Sequence, residues 1–137
     1  MQPESFHVIS LLGVLEHLHD PVQMLNDVRR LLAHEGVLAA YVPNFNYLRW
    51  KDTGILARLR TGRQSKLHPQ EHLFQYTPRT FRKLLAAGGF EIVRMDVGKP
   101  FLNGNRLKRA LKESAYVGIR TLYAMTGIHL GGIEIIA

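Results

Sequence analysis

Two short, mostly apolar runs leave this chain few folds to choose from: Phe6-His7-Val8-Ile9-Ser10-Leu11-Leu12 and Val37-Leu38-Ala39-Ala40-Tyr41-Val42. Their length and β-branched content suit strands buried on both faces. Between them, Asp20-Pro21 marks a helix start, because the carboxylate can cap free amides and proline tolerates the first helical turn. Val22, Leu25, Val28 and Leu32 then recur at helical spacing, and Gly36 is expected to close the helix as a left-handed cap. Strand, amphipathic helix, strand is a βαβ unit with a parallel, right-handed crossover.

The rest of the chain extends this pattern. Residues 44–76 read as a long, irregular insertion carrying Tyr47, Trp50, Phe74 and Tyr76 and the basic group Arg58, Arg60, Arg63 and Lys66. An insertion of that length is often functional. Thr77-Pro78 starts a second helix, with Phe81, Leu84 and Leu85 on one face and Gly88-Gly89 at its end. Phe90 to Val97 mixes Glu91, Arg94 and Asp96 with apolar residues, as a strand near a sheet edge does. Asn103-Gly104-Asn105 reads as a turn. Residues 106–125 form a further helix with Leu107, Leu111, Gly118 and Leu122 near one face and Arg106, Lys108, Arg109 and Lys112 at its start. Gly132 to Ala137 is a last strand.

Composition limits the function classes. The 137 residues carry a net charge of +7 and no cysteine, which removes disulfides, thiolate metal sites and cysteine nucleophiles. Met1-Gln2-Pro3-Glu4 is not a basic-then-apolar opening, and the expected location is cytoplasmic. The basic excess leaves nucleic acid and anionic lipid as possible partners. Arg58, Arg60, Arg63 and Lys66 could contact phosphates, and the basic start of the 106–125 helix could touch a membrane surface. A solvated basic face is the simpler reading, and nucleic acid is the less expected partner. The histidine pairs His17/His19 and His68/His72 do not match a zinc spacing, so no metal is expected.

Four segments in this order resemble class I S-adenosylmethionine (SAM)-dependent methyltransferases of the small-molecule, quinone-biosynthesis-like group. They are Ser5-Phe6-His7-Val8-Ile9 with Val14-Leu15-Glu16-His17-Leu18 and Asp20-Pro21; Arg29-Arg30-Leu31-Leu32 with Gly36-Val37-Leu38 and Val42-Pro43-Asn44; Glu71-His72-Leu73-Phe74-Gln75-Tyr76-Thr77-Pro78 with Leu84 to Val93; and the strand from Gly132. The resemblance implies an α/β, Rossmann-like methyltransferase half-domain over residues 1–137. Its mostly parallel sheet would have strand order 4-5-7-6 in the family's numbering. It also implies that the N-terminal half with the glycine-rich SAM loop is absent, since no G-x-G occurs here, and that the chain stops inside the seventh strand. His7 stands where the family usually has Asp.

By the same resemblance, Leu12, Gly13 and Val14 would face the methionine part of SAM, near the carboxyl ends of the strands where open α/β sheets bind ligands. Glu16 and His17 would lie near the acceptor pocket as candidate catalytic residues, because an imidazole can take a proton near neutral pH. Asn44, His72 and Tyr76 would shape the substrate side, or else anchor the insertion. The expected activity is methyl transfer to a small-molecule or lipid-like acceptor, with weak or no SAM binding by these residues alone. The alternatives are a non-catalytic assembly module and a basic RNA-binding domain. The apolar edge of the first strand would pair with the missing N-terminal half or with a second copy.

Overall fold

A computed structural model of the chain describes residues 3–53, 72–99 and 105–137, with the side chains of residues 51–53 outside the description. Arg58, Arg60, Arg63, Lys66, His68, Glu71, Asn103 and Gly104 therefore lie outside the described residues. The elements run β1 (Phe6–Leu12), a 3₁₀ turn (Leu15–His17), α1 (Pro21–Leu31), β2 (Leu32–Val42), α2 (Phe45–Thr53), α3 (Pro78–Ala87), β3 (Arg94–Gly98), α4 (Arg106–Thr126) and β4 (Gly132–Ile136).

The four strands form one sheet in the order β1-β2-β4-β3, the spatial order implied for these segments. β1 and β2 pair in parallel, from Val8 opposite Val37 to Leu12 opposite Tyr41. β4 runs against both β2 and β3, so three strands share a direction and β4 reverses it. The mixed-polarity strand sits at the edge, as its pattern required. It is shorter than read from sequence, beginning at Arg94 rather than Phe90.

α1 begins as expected: the Asp20 carboxylate accepts from the Gln23 amide at 2.9 Å, and Pro21 occupies the first turn. Its end differs. Gly36 is not a left-handed cap. The helix stops at Leu31, and Leu32 is already extended and pairs with Phe6. The last carbonyls of α1 accept instead from the chain entering β1, Glu4 N to Arg30 O at 3.1 Å and Ser5 N to Leu31 O at 3.0 Å. The strand register then shifts between Phe6 and Val8, with five positions of β2 (32 to 37) set against two of β1 (6 to 8). Gly36 lies at that irregularity. A Cβ there would meet the Phe6 carbonyl at 2.8 Å, so close approach and not a positive φ calls for glycine.

The core gathers Leu25 and Val28 of α1, Phe81 and Leu85 of α3, Leu38, Ala40 and Val42 of β2, and Ile133 and Ile135 of β4. α1 and α3 pack together so closely that a Cβ on Gly88 would sit 2.6 Å from the Leu25 Cβ. The expectation that β1 is buried on both faces is corrected: of its residues only Leu11 is buried, while Phe6, Val8 and Leu12 are exposed. Among the described residues nothing pairs beyond β1, so its outer side is uncovered. The 44–76 insertion is also more regular than read, because it opens with helix α2.

Candidate functional site

The site begins where β1 ends. Gly13 takes a left-handed turn (φ 68°) while its amide still donates to the Tyr41 carbonyl at 2.9 Å. That turn leads into the 3₁₀ turn, closed by His17 N donating to Val14 O at 3.0 Å. The tight winding sends consecutive side chains in different directions. Leu15 enters the core, Glu16 is buried at 3% exposure, and His17 is exposed. At the carboxyl end of the strand Leu12 is exposed, while Gly13 and Val14 are half-buried and Val14 packs against the core.

A second segment, residues 72–76, is strapped across this turn. Phe74 N donates to Glu16 O at 3.1 Å, the Tyr76 hydroxyl donates to Leu15 O at 3.2 Å, and Phe45 N donates to Tyr76 O at 2.7 Å. The strap brings His72 against His17, ring edge to ring face, with centroids 4.9 Å apart. His17 Nε2 lies 4.0 Å from Glu16 Oε1. Glu16, His17 and His72 each offer one ligand atom, and those atoms all lie within 4.8 Å of one another. Residues 17 and 72 are far apart in sequence, so spacing pairs His17 with His19 and His68 with His72 but not His17 with His72.

Glu16 is unusual for a buried carboxylate. Among the described residues its Oε2 has no hydrogen-bond partner and its ion-pair partner is His17. Buried charges are ordinarily paired and hydrogen-bonded, so an orphan oxygen points to something it is meant to meet. The small space beside it, lined by residues including Glu16, Pro43, Phe45, His72 and Gln75, holds about 10 Å³, room for one water. Two tyrosines report on the same environment. Burial and then the charge of Glu16 push the Tyr76 hydroxyl up to about 12, and the same two causes raise Tyr41.

Asn44 and Tyr76 are engaged in the scaffold. Asn44, at 1% exposure, donates from Nδ2 to the His129 carbonyl at 2.9 Å and accepts from Asn46 N at 3.1 Å. It also bridges to Tyr76 in a parallel pair, so the end of β2, the strap and the approach to β4 are tied at one point. Beside this knot lies an open cleft of about 380 Å³, lined by residues including Tyr47, Thr77, Arg79, Ile128 and Leu130. It sits at the carboxyl end of β2, because Val42 pairs with Ile133 at the start of β4. His129 was not singled out from sequence. Its Nε2 contacts the Asp96 carbonyl at 3.1 Å, its ring packs edge-on against Tyr123, and its buried Nδ1 has no partner among the described residues. Burial lowers its pKa below the usual 6.5. His19 is exposed and not part of the histidine cluster.

A parallel strand pair bridged by a helix, a reversed strand inserted between the second and the edge strand, and a polar cluster at the carboxyl ends define a Rossmann-like methyltransferase fold. The family model described as Methyltransferase domain matches residues 2–95. The chain belongs to that methyltransferase family. Similar solved structures agree on the fold. An S-adenosylmethionine-dependent methyltransferase from Mesorhizobium loti is 13% identical with a TM-score of 0.57, over 98% of this chain and 62% of that one. A SAM-dependent methyltransferase from Archaeoglobus fulgidus is 15% identical with a TM-score of 0.53, over 100% and 61%. A chain in the Haloferax volcanii complex between the Trm112 methyltransferase activator and a proposed methyltransferase is 13% identical with a TM-score of 0.57, over 98% and 54%. This chain thus spans between about half and two thirds of the length of the structures it matches. No curated protein matches it in sequence.

Proposed function

We propose that the chain supplies the acceptor-side half of a SAM-dependent methyltransferase site, with Glu16, His17 and His72 as its polar centre. The observation that carries this is the orphaned, buried Glu16 carboxylate beside the carboxyl end of β1, where this fold class binds ligands. Membership of a methyltransferase family supports it. The cofactor would contribute an electrophilic methyl on a sulfonium centre. Leu12, Gly13 and Val14 fit its methionine part: Leu12 is exposed, Gly13 and Val14 are half-buried, and the left-handed turn at Gly13 carries no side chain over its backbone. The Glu16 carboxylate would hold the imidazole of His17 in place and balance its positive charge as it accepts a proton from the acceptor. The cleft beside Asn46 and Ile128, with Tyr47 and Leu130 in its walls and Arg79 at its side, suits a small-molecule or lipid-like acceptor.

The glycine-rich loop of the family is not among these residues, so SAM binding by the chain alone should be weak. A partner strand along β1 would complete the sheet, and the exposed Phe6, Val8 and Leu12 support that docking. A SAM titration of the isotopically labelled chain followed by NMR tests the reading. Gly13 and its neighbours should shift with weak affinity, and the shifts should diminish in Glu16→Gln. Tight binding would refute the half-site reading, and shifts clustered away from β1 would refute the site.

The three-donor set favours one second reading, a divalent cation on Glu16, His17 and His72. Cobalt titration separates the two. A visible ligand-field spectrum that His72→Ala abolishes supports the cation, and its absence leaves the proton-transfer role.

A further inference from the structure

Helix α4 turns its charged half toward the protein and its uncharged half toward solvent. At about 100° per residue, its charged residues Arg106, Lys108, Arg109, Lys112, Glu113 and Arg120 all fall on one half. The half-buried residues Lys112, Tyr116, Ile119 and Tyr123 lie on that same half. It is anchored to β3, since Arg120 reaches Asp96 at 2.8 Å and the Tyr123 hydroxyl donates to the Met95 carbonyl at 3.4 Å. The opposite arc of roughly 160° holds no charge along the whole helix. Its large residues stand in solvent: Leu107 is 68% exposed, Leu111 and Val117 62%, and Met125 80%. No residue of the helix is buried.

The charges choose the cover for this stripe. In the first turn Arg106 and Lys108 stand exposed at the two edges of the stripe, and that turn has no acid. Cations there oppose the helix dipole, whose positive end already lies at that terminus. An anionic surface against the stripe would offset that cost at Arg106 and Lys108. A strand docked on β1 cannot reach the stripe, because α4 packs on β3 at the far edge of the sheet. A second copy of the helix is a poor match, since Ser114, Gly118 and Thr121 leave little apolar area along the middle of the stripe and the copy would bring the same cations. Among the described residues no helix is long and apolar enough to cross a bilayer. We infer that α4 lies in the plane of an anionic lipid surface, apolar arc down, with Arg106 and Lys108 at its edges on the headgroups. At about 1.5 Å per residue, its 21 residues would lay about 31 Å of helix along the interface. Its C-terminal cap continues into Ile128 and Leu130, which line the cleft, so the cleft would open close to the lipid.

The test is co-sedimentation of the full chain with vesicles of phosphatidylcholine alone or mixed with phosphatidylglycerol. Binding should require phosphatidylglycerol and weaken at high salt. Lys108→Glu should lower it by about fivefold or more. The pair Leu111→Gln with Met125→Gln should lower it by about tenfold or more. These side chains are exposed, so the circular dichroism and melting of each variant should match the parent. The inference is overturned by no vesicle binding, by equal binding to both vesicle types, or by self-association that the glutamine pair abolishes in the absence of lipid binding. Salt-sensitive RNA binding without vesicle binding would overturn it in favour of RNA.

Discussion

The Asp96 carboxylate on β3 accepts Arg120 of α4 at 2.8 Å, and the same oxygen accepts Arg94 at 2.7 Å. Its other oxygen accepts the Val97 amide. Burial alone would raise its pKa, but the hydrogen bonds from Arg94, Val97 and Arg120 together hold it below 3.8. Asp96 is therefore a pin between the edge strand and a helix that buries no residue of its own. Asp96→Asn should cost about 1 kcal/mol, discounted because both arginines are well exposed. Amide exchange should accelerate along α4 more than in β2. Unchanged exchange in α4 would show that other contacts hold the helix.

Acid should find the same region weak. His129 has its pKa lowered by burial, so its neutral form is the folded one. Its contribution is complete above the ordinary value of 6.5 and is lost as pH falls through the lower folded value. Asp96, also depressed, contributes above 3.8 and loses that contribution as pH falls through its own folded value. Stability should therefore decline on acidification in two stages, the first below about pH 6.5. In His129→Gln the urea midpoint should lose the first stage and keep the second.

Alkali acts through the strap. Tyr76 is buried and its hydroxyl is raised to about 12, so folding favours the protonated phenol. Its contribution is present below the ordinary 10.0 and lost as pH rises from there to about 12. Tyr76→Phe should remove that slope and cost about 1 kcal/mol through the lost bond to the Leu15 carbonyl. Tyrosinate absorbance in the parent and the variant, followed with the melting temperature, checks both.

Two glycines should respond to alanine in opposite directions. Gly88→Ala drives a methyl onto Leu25, in a core where α1 and α3 cannot part without loss, and should cost about 1–3 kcal/mol. Gly118 sits inside α4 with nothing within 4 Å of its missing Cβ. Gly118→Ala should stabilise the helix by up to about 1 kcal/mol. Thermal melts of the two variants decide it.

The fold was legible where local chemistry and tertiary need agree. Asp20-Pro21 and Thr77-Pro78 start helices because their caps are local, and the Phe6–Leu12 and Val37–Val42 runs pair because nothing else covers them so well. An apolar run does not reveal how many neighbours it will have, so β1 was read as buried on both faces and is an edge. Gly36 shows the same limit: glycine marks a need for space, and only the fold says whether the need is a turn or a close approach. At the site, Glu16 and His17 were legible as a local pair. The approach of His72 was not, because the strap that carries it is positioned by Tyr76 and Phe74 contacts to the main chain of residues 15 and 16. In α4 the periodic face was visible, but its direction was set by Asp96 on another element.

The uncovered side of β1 makes the last prediction. Val8 is 60% exposed in the middle of a strand that pairs with β2 alone among the described residues. Water is a poor neighbour for Phe6, Val8 and Leu12, and the open backbone edge adds unpaired hydrogen-bonding groups, so strand addition is favoured over solvation. The chain should therefore self-associate as its concentration rises. Val8→Lys keeps the β1–β2 ladder but places a charge beside the docking strand, the device by which edge strands resist pairing. It should shift sedimentation toward the monomer while altering the stability of the monomer by no more than about 0.5 kcal/mol. A parent that stays monomeric at high concentration would remove the argument that β1 recruits a partner strand. Association that survives Val8→Lys but is lost in Leu111→Gln with Met125→Gln would move the contact from the sheet edge to α4.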